Sequence, residues 1–415
     1  MRNFPRIAKT VFVVCLLLVL IFVVTSNRNE QLSGNIFPQG TFVQTVSTRI
    51  STKSILTTTN STRKSPVSGS KFSGKSPLSV SQSLDKSPLS VSQSLGKSPV
   101  SVSQSSGKDI LLFSYMRSGS TVTGNLLRDS PGVFFMFEPL SPLAPYSYFT
   151  DRSICEMRNS TCRSENVHDR IEVALTAMVN LYSCNMNAVP ISLIDKMVAE
   201  NKSGEAWQEF GECLNGTKTH SKYNDGEEIT RMGCFDRFEQ ACRSADYRVA
   251  KVLRLGFATI ETLLKRIPSL KVLYLARDPR AIINSRIKTV WFPVFNEKPR
   301  TVFTNILGLC LKMETDIQAW KHMRDIYGDR ILHTTLTKIA SRINAMLEIF
   351  KFMNKTVTVT EERNIISYLY KNLVYNITEN WRSELASVYR KGIEDRCYYV
   401  IEHITSMDSN TVRRK

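Results

Sequence analysis

Arginine, serine, glycine and threonine are residue types that hold oxyanions, and they follow one another in Arg117-Ser118-Gly119-Ser120-Thr121. The apolar run ILLFSY (110–115) leads into this segment, and TVTGNLLRD (121–129) leaves it with helical spacing. Backbone N–H groups and hydroxyls would therefore gather at a helix N-terminus, where an anion is favoured. The segment has one glycine and no lysine before its Ser/Thr, a departure from G-x-x-x-x-G-K-[ST] that disfavours a magnesium nucleoside triphosphate. Arg117 supplies the fixed charge instead, in a fork that suits phosphate or sulfate oxygens. Taken alone, an ordinary strand-to-helix connection is the competing reading.

A second set of cations lies in KVLYLARDPRAIINSR (271–286). Arg277 closes a strand, Pro279 opens the following helix, and Ser285 falls roughly two turns along it. Ligands of parallel sheets bind at the carboxyl ends of strands, so Arg277, Arg280 and Arg286 could join the Arg117 loop around one polyanion. Surface arginines paired with Asp278 are the alternative. The candidate proton acceptor is Glu138 in Phe137-Glu138-Pro139, an acid ending an apolar strand, where burial by Phe135 and Phe137 would raise its pKa towards values useful to a general base. A capping or ion-paired glutamate is its alternative. Lys251 and Arg254 could line the same cleft, although strand spacing could turn them to opposite faces. His220, His322 and His333 fall in no comparable motif.

These residues need a scaffold, and the chain supplies strand and helix signals in alternation from Asp109 onward. VFFMFEPL (133–140), YRVAKVLRL (247–255) and KVLYLARD (271–278) read as strands. VALTAMVNLY (173–182), much of 188–209 and ATIETLLKRI (258–267) read as helices, as does the C-terminal third, with Ile339–Phe352 its clearest amphipathic stretch. The expected fold is an α/β, P-loop-like three-layer domain over 109–405 with a central, mainly parallel sheet, followed by a tail at 406–415.

The region before the domain has another character. Val11–Val24 is uninterrupted apolar and follows Arg2, Arg6 and Lys9, which predicts a cytoplasmic tail (1–9) and a signal-anchor helix (10–26), with a cleaved signal peptide as the rival. Either reading sends the chain into the secretory pathway. Residues 27–108 contain four successive 11-residue units, from KSPVSGSKFSG (64–74) to KSPVSVSQSSG (97–107). Their Ser and Pro content predicts an extended, disordered stem. This stem carries +8 of the chain's net charge of +18, so the domain itself is only mildly basic, which fits an anionic ligand better than nucleic acid. Eight cysteines outside the apolar segment form an even set that predicts disulfides of unassigned pairing, and their spacing lacks a zinc knuckle. Sequons at Asn60, Asn159, Asn201, Asn215, Asn354 and Asn376 agree with a lumenal domain.

Arg-Ser-Gly-Ser-Thr (117–121) and R-D-P-R-A-x-x-x-S-R (277–286), with PGVFFMFEPL (131–140), KVLRL (251–255) and W-R-x-E-L (381–385), resemble the Golgi carbohydrate sulfotransferases, in particular the galactose/N-acetylglucosamine/N-acetylgalactosamine 6-O-sulfotransferases. The resemblance implies PAPS (3′-phosphoadenosine 5′-phosphosulfate) as sulfuryl donor, without a metal. Arg117, Ser118, Gly119, Ser120 and Thr121 would bind its 5′-phosphosulfate, and Arg277 with Ser285 its 3′-phosphate. Glu138 would be the base and Arg117 would stabilise the departing phosphate. It further implies a glycan acceptor, a type II Golgi membrane protein with a lumenal domain, and a second copy of the chain as partner. The family's Y-E-D-L-like segment is replaced by HTTLTKI (333–339). A Golgi glycosyltransferase would share the anchor, stem and sequons, but no D-x-D metal–sugar-nucleotide motif is present, only Glu314-Thr315-Asp316, and some glycosyltransferases work without one. A catalytically silent glycan-binding lumenal protein would not need Arg117, Ser285 and Glu138 together.

Overall fold

Five short, largely buried strands form the centre: β1 (Lys108–Ser114), β2 (Val133–Phe137), β6 (Tyr247–Val252), β7 (Lys271–Ala276) and β8 (Ile331–Thr335). The computed structural model describes residues 108–409, except 160, 165–167, 201–202, 220–225, 293–296 and 373. The cytoplasmic tail, the membrane segment and the stem expected before Lys108 lie outside these residues. No helix among the described residues is long and apolar enough to cross a membrane.

The strand order is β2-β6-β1-β7-β8, and every pairing is parallel. Strands buried on both faces need apolar residues at odd and even positions alike, which is why they read as continuous apolar runs. In β1, Leu111 and Phe113 join one apolar cluster with helices His168–Tyr182, Phe257–Arg266 and Pro299–Tyr327. Ile110 and Leu112 face the other side, against helix Ser120–Arg128 and the helices that follow β8. The result is helix, sheet, helix, as the alternation predicts.

Several boundaries differ from the sequence reading for local reasons. Glu138 adopts a positive φ of 46° and stops β2 at Phe137. The stretch 188–209 divides at Gly204 (φ 110°) into helices Ile191–Ala199 and Glu205–Thr219. Arg342 is extended and splits the amphipathic stretch into Leu336–Ser341 and Ile343–Phe352, so that both lay apolar faces on one side of the sheet. Helix Tyr398–Ser409 runs past the expected domain end at 405. A small antiparallel sheet, β3 (Ser147–Phe149), β4 (Ile154–Glu156) and β5 (Cys162–Arg163), was not legible at all.

All eight domain cysteines are paired, as Cys155–Cys162, Cys184–Cys242, Cys213–Cys234 and Cys310–Cys397. The first staples the small sheet, and the last closes a separation of 87 residues between the long helix Pro299–Tyr327 and the C-terminal helices. Asn159, Asn215, Asn354 and Asn376 are exposed, as glycosylation requires.

His333 on β8 is a core residue. Its ring stacks on Tyr274 at 4.0 Å between centroids and meets Trp320 edge-on at 4.6 Å. Burial, then the neighbouring His403 and Lys338, hold its pKa well below the usual 6.5. The folded protein keeps this ring neutral while the unfolded chain protonates it, so the stability it contributes is present above about pH 6.5 and lost as pH falls. We expect thermal unfolding to shift to lower temperature between pH 7.5 and 5.5, and His333→Phe to flatten that fall. Equal pH dependence of wild type and variant would contradict this role.

Candidate functional site

The carboxyl ends of β1, β2, β6 and β7 open on one cleft of about 1110 Å³. Arg117, Gly119, Ser120 and Thr121 line it from the loop after β1, Glu138 from the end of β2, Lys251 and Arg254 from the end of β6, and Arg277 and Ser285 from the segment after β7. A strand order that places β6 and β7 on opposite sides of β1 brings these four ends together, where α/β sheets leave a crevice.

The loop after β1 is built by two left-handed residues, Arg117 (φ 74°) and Gly119 (φ 87°). Arg117 extends its side chain to Ser285, donating from Nε to Oγ at 3.0 Å, while its carbonyl accepts from Arg277 at 2.7 Å. The two motifs that lie 160 residues apart are thus joined directly. Gly119 precedes helix Ser120–Arg128, whose first N–H groups have no intrahelical partner and no side-chain cap. Ser118 is the member of the loop that does not reach the cleft. It is fully buried, its Oγ lies against Ser114 and accepts from the Tyr115 N–H at 3.1 Å, and its own N–H bonds the Tyr115 carbonyl. Its contribution is to the loop's shape.

Glu138 is held from two sides. Lys251 Nζ lies 2.6 Å from Oε1 and Arg254 Nη2 lies 3.3 Å from Oε2. Lys251 also reaches Thr121 Oγ1 at 3.3 Å, so one ammonium links the glutamate to the anion loop. The surroundings of the carboxylate are therefore ionic, whereas the sequence suggested an apolar wall. Lys251 and Arg254 do not point to opposite faces, because β6 ends at Val252 and the chain turns before Arg254.

The other guanidiniums divide into two roles. Arg277 is buried, gives one N–H to the Arg117 carbonyl and another to Ile377, and leaves its Nε unbonded. Burial, then the charge of Arg117, pushes its pKa down to about 10. Arg286 is pushed down to about 9 by the same two causes, and it donates to the Met116 carbonyl and to Asn305. Arg280 turns away, ion-paired with Asp278 and Glu394 over the ring of Trp381. Trp381 is itself buried, so W-R-x-E-L supports this corner from outside the cleft. Asp316 pairs with Lys312 at 2.8 Å and accepts the Phe257 N–H, which commits this acid of the Glu314-Thr315-Asp316 run to the core.

Sequence reasoning missed the outer wall: Tyr146, Trp291 and the residues of helix Ile191–Ala199. Tyr146 and Trp291 come from connecting segments without motif, the helix carried no functional signal, and only the folded chain shows that they share the cleft.

A family model described as "Sulfotransferase domain" matches residues 107–394. Among curated proteins, carbohydrate sulfotransferase 4 of Mus musculus is 27% identical over 188 residues, 43% of this chain and 45% of the relative. Carbohydrate sulfotransferase 2 of Homo sapiens is 26% identical over 195 residues, 43% of this chain and 34% of the relative. The match spans less than half the length of either relative. A solved mouse sulfotransferase complexed with PAP aligns over 70% of this chain and 82% of its own at 11% identity and a TM-score of 0.35.

A Cβ at Gly119 would clash with the Leu336 side chain, and the left-handed φ adds a strain of about 1–3 kcal/mol for any other residue. Gly119→Ala is expected to lower unfolding free energy by about that amount in urea titration. A variant as stable as wild type would mean that the loop can adopt another path.

Proposed function

The chain belongs to the sulfotransferase-domain family, and from that premise we propose that it transfers a sulfuryl group from PAPS to a sugar hydroxyl, O6 of a GlcNAc, Gal or GalNAc residue on a glycan. The observation that carries this reading is the convergence on one cleft of a helix N-terminus with Arg117, a second buried cation at Arg277, and a carboxylate at Glu138. A donor with anionic groups at both ends of an adenosine needs two cationic sites and an acceptor hydroxyl needs a base.

The residues fit the donor. Arg277 is buried with an unbonded Nε, so it gains from an anion that replaces lost water, and the exposed guanidinium of Arg117 stands beside it on the cleft. PAPS supplies an activated sulfur bonded to a phosphate leaving group. In the proposed reaction Gly119, Ser120 and Thr121 cradle the 5′-phosphosulfate, Arg277 and Ser285 hold the 3′-phosphate, and Glu138 takes the proton of the attacking hydroxyl as its oxygen bonds sulfur. The electron pair of the breaking S–O bond passes to the phosphate, where Arg117 and the loop amides stabilise the charge. Lys251, which touches both Thr121 and Glu138, keeps base and loop in register.

The proposal includes a Golgi membrane location with the domain lumenal, for which the apolar segment at 10–26, the exposed sequons and the four disulfides are the support.

The test is transfer from labelled PAPS by the full-length protein to a panel of glycans, with calorimetric titration of PAP. Glu138→Gln should lower kcat by about 10²–10⁴-fold and leave PAP affinity nearly unchanged. Arg117→Ala and Ser285→Ala should weaken PAP binding, and PAP at 100 times its Kd should stabilise the wild type by about 2.7 kcal/mol. Absence of both transfer and PAP binding would refute the reading, and full activity of Glu138→Gln would remove the base alone.

A further inference from the structure

Two aromatic side chains stand exposed on the cleft wall, and nothing in the donor reading uses them. Tyr146 is 42% exposed and Trp291 is 56% exposed. An indole left in water at the wall of a catalytic cleft gains free energy when an apolar face covers it. By contrast, Trp207 and Trp381 are packed in the core.

The pair is held in place. The Tyr146 hydroxyl donates to the Trp291 carbonyl at 3.3 Å, and the Arg117 guanidinium lies over the Trp291 ring at 5.8 Å. The Tyr146 carbonyl accepts from Met157 N at 2.8 Å, in the small sheet stapled by Cys155–Cys162. Asn305 donates to the Met157 carbonyl at 2.7 Å and accepts from Arg286, which in turn holds Met116 at the base of the anion loop. Phe292, next to Trp291, is buried under the Arg286 guanidinium at 5.0 Å. One buried hub thus fixes the aromatic pair relative to the anion loop.

The wall beside them is hydroxylic and weakly acidic. Helix Ile191–Ala199 and the residue after it contribute Ser192, Asp195, Lys196 and Glu200, and Lys196 is ion-paired with Glu200 at 2.7 Å. Acceptors for hydroxyl groups beside an aromatic face match a neutral pyranose, which offers C–H groups on one face and hydroxyls around its edge.

We infer that Tyr146 and Trp291 form the platform on which the acceptor sugar stacks. The inference rests on the sulfotransferase reading above and adds the site that holds the acceptor. Stacking by one face would leave the ring's exocyclic hydroxyl free to turn towards Glu138, which lines the same cleft.

The test uses the full-length protein, its Trp291→Ala, Trp291→Phe and Tyr146→Ala variants, and a neutral N-acetyllactosamine-type oligosaccharide. Trp291→Ala should raise the acceptor KM by about ten-fold with PAP affinity within about two-fold, and Trp291→Phe should restore most of the loss. Tyr146→Ala should act in the same direction. An unchanged acceptor KM in Trp291→Ala would overturn the inference. Fluorescence titration with the neutral oligosaccharide in the presence of PAP separates the two proposals. Quenching that Trp291→Phe abolishes, without sulfuryl transfer, would uphold the platform and sink the activity, whereas neither quenching nor transfer would sink both.

Discussion

Desolvation of cations at one edge of the sheet is the constraint on which the site depends. Burial is the largest cause lowering the pKa of Arg117, Arg254, Arg277, Arg286 and Lys312. The carboxylates that pair with members of this set are Glu138 and Asp316. Backbone carbonyls supply much of the remaining hydrogen bonding: Met116 for Arg286, Arg117 and Ile377 for Arg277, Leu255 for Lys312. A carbonyl satisfies an N–H without cancelling its charge, so positive potential is kept at Arg277, which lines the cleft, and at Arg286 behind it. An anion bound there recovers part of the desolvation penalty, which makes the empty site electrostatically costly and the occupied one stable.

Carbonyls can do this only if the chain aims them. Arg117 at φ 74° turns its carbonyl to Arg277, and Glu138 at φ 46° leaves β2 so that its side chain meets Lys251 and Arg254. Both are non-glycine residues in a left-handed conformation, and such strain persists only where surrounding contacts over-determine it. Ser118 provides part of that over-determination inside the loop, and Pro139 limits the path after Glu138. Strain and charge burial are therefore two aspects of one arrangement.

The layers, the central strands and the anion loop were legible because each rests on a local pattern: continuous apolar runs for β1, β6 and β7, and small polar residues between strand and helix. Asp278 caps the helix opened by Pro279 as the local chemistry requires. Partner choice was not legible. Three arginines in 277–286 are chemically alike, yet Arg277 faces the cleft, Arg280 is taken by Asp278 and Glu394, and Arg286 supports Met116. Which of them a carboxylate or carbonyl claims depends on segments such as Glu394 and Asn305 that no local spacing connects to the motif. The ionic surroundings of Glu138 escaped for the same reason, since its partners come from a strand more than a hundred residues later.

The lysine missing from the loop has a counterpart in space. Lys251 is carried by β6, the strand beside β1, and reaches Thr121 from there. A lysine within the loop would face only the bound anion, whereas one on the neighbouring strand can also contact the end of β2, which pairs with β6 on its other side. The five-strand order makes this double contact available, because β6 lies between β1 and β2. With 2.6 Å to Glu138 and 3.3 Å to Thr121, the ammonium is shared between the Glu138 carboxylate and the loop after β1, so charge arriving at one is felt at the other. Moving the cation from loop to strand therefore couples two functions that a conventional phosphate loop keeps apart.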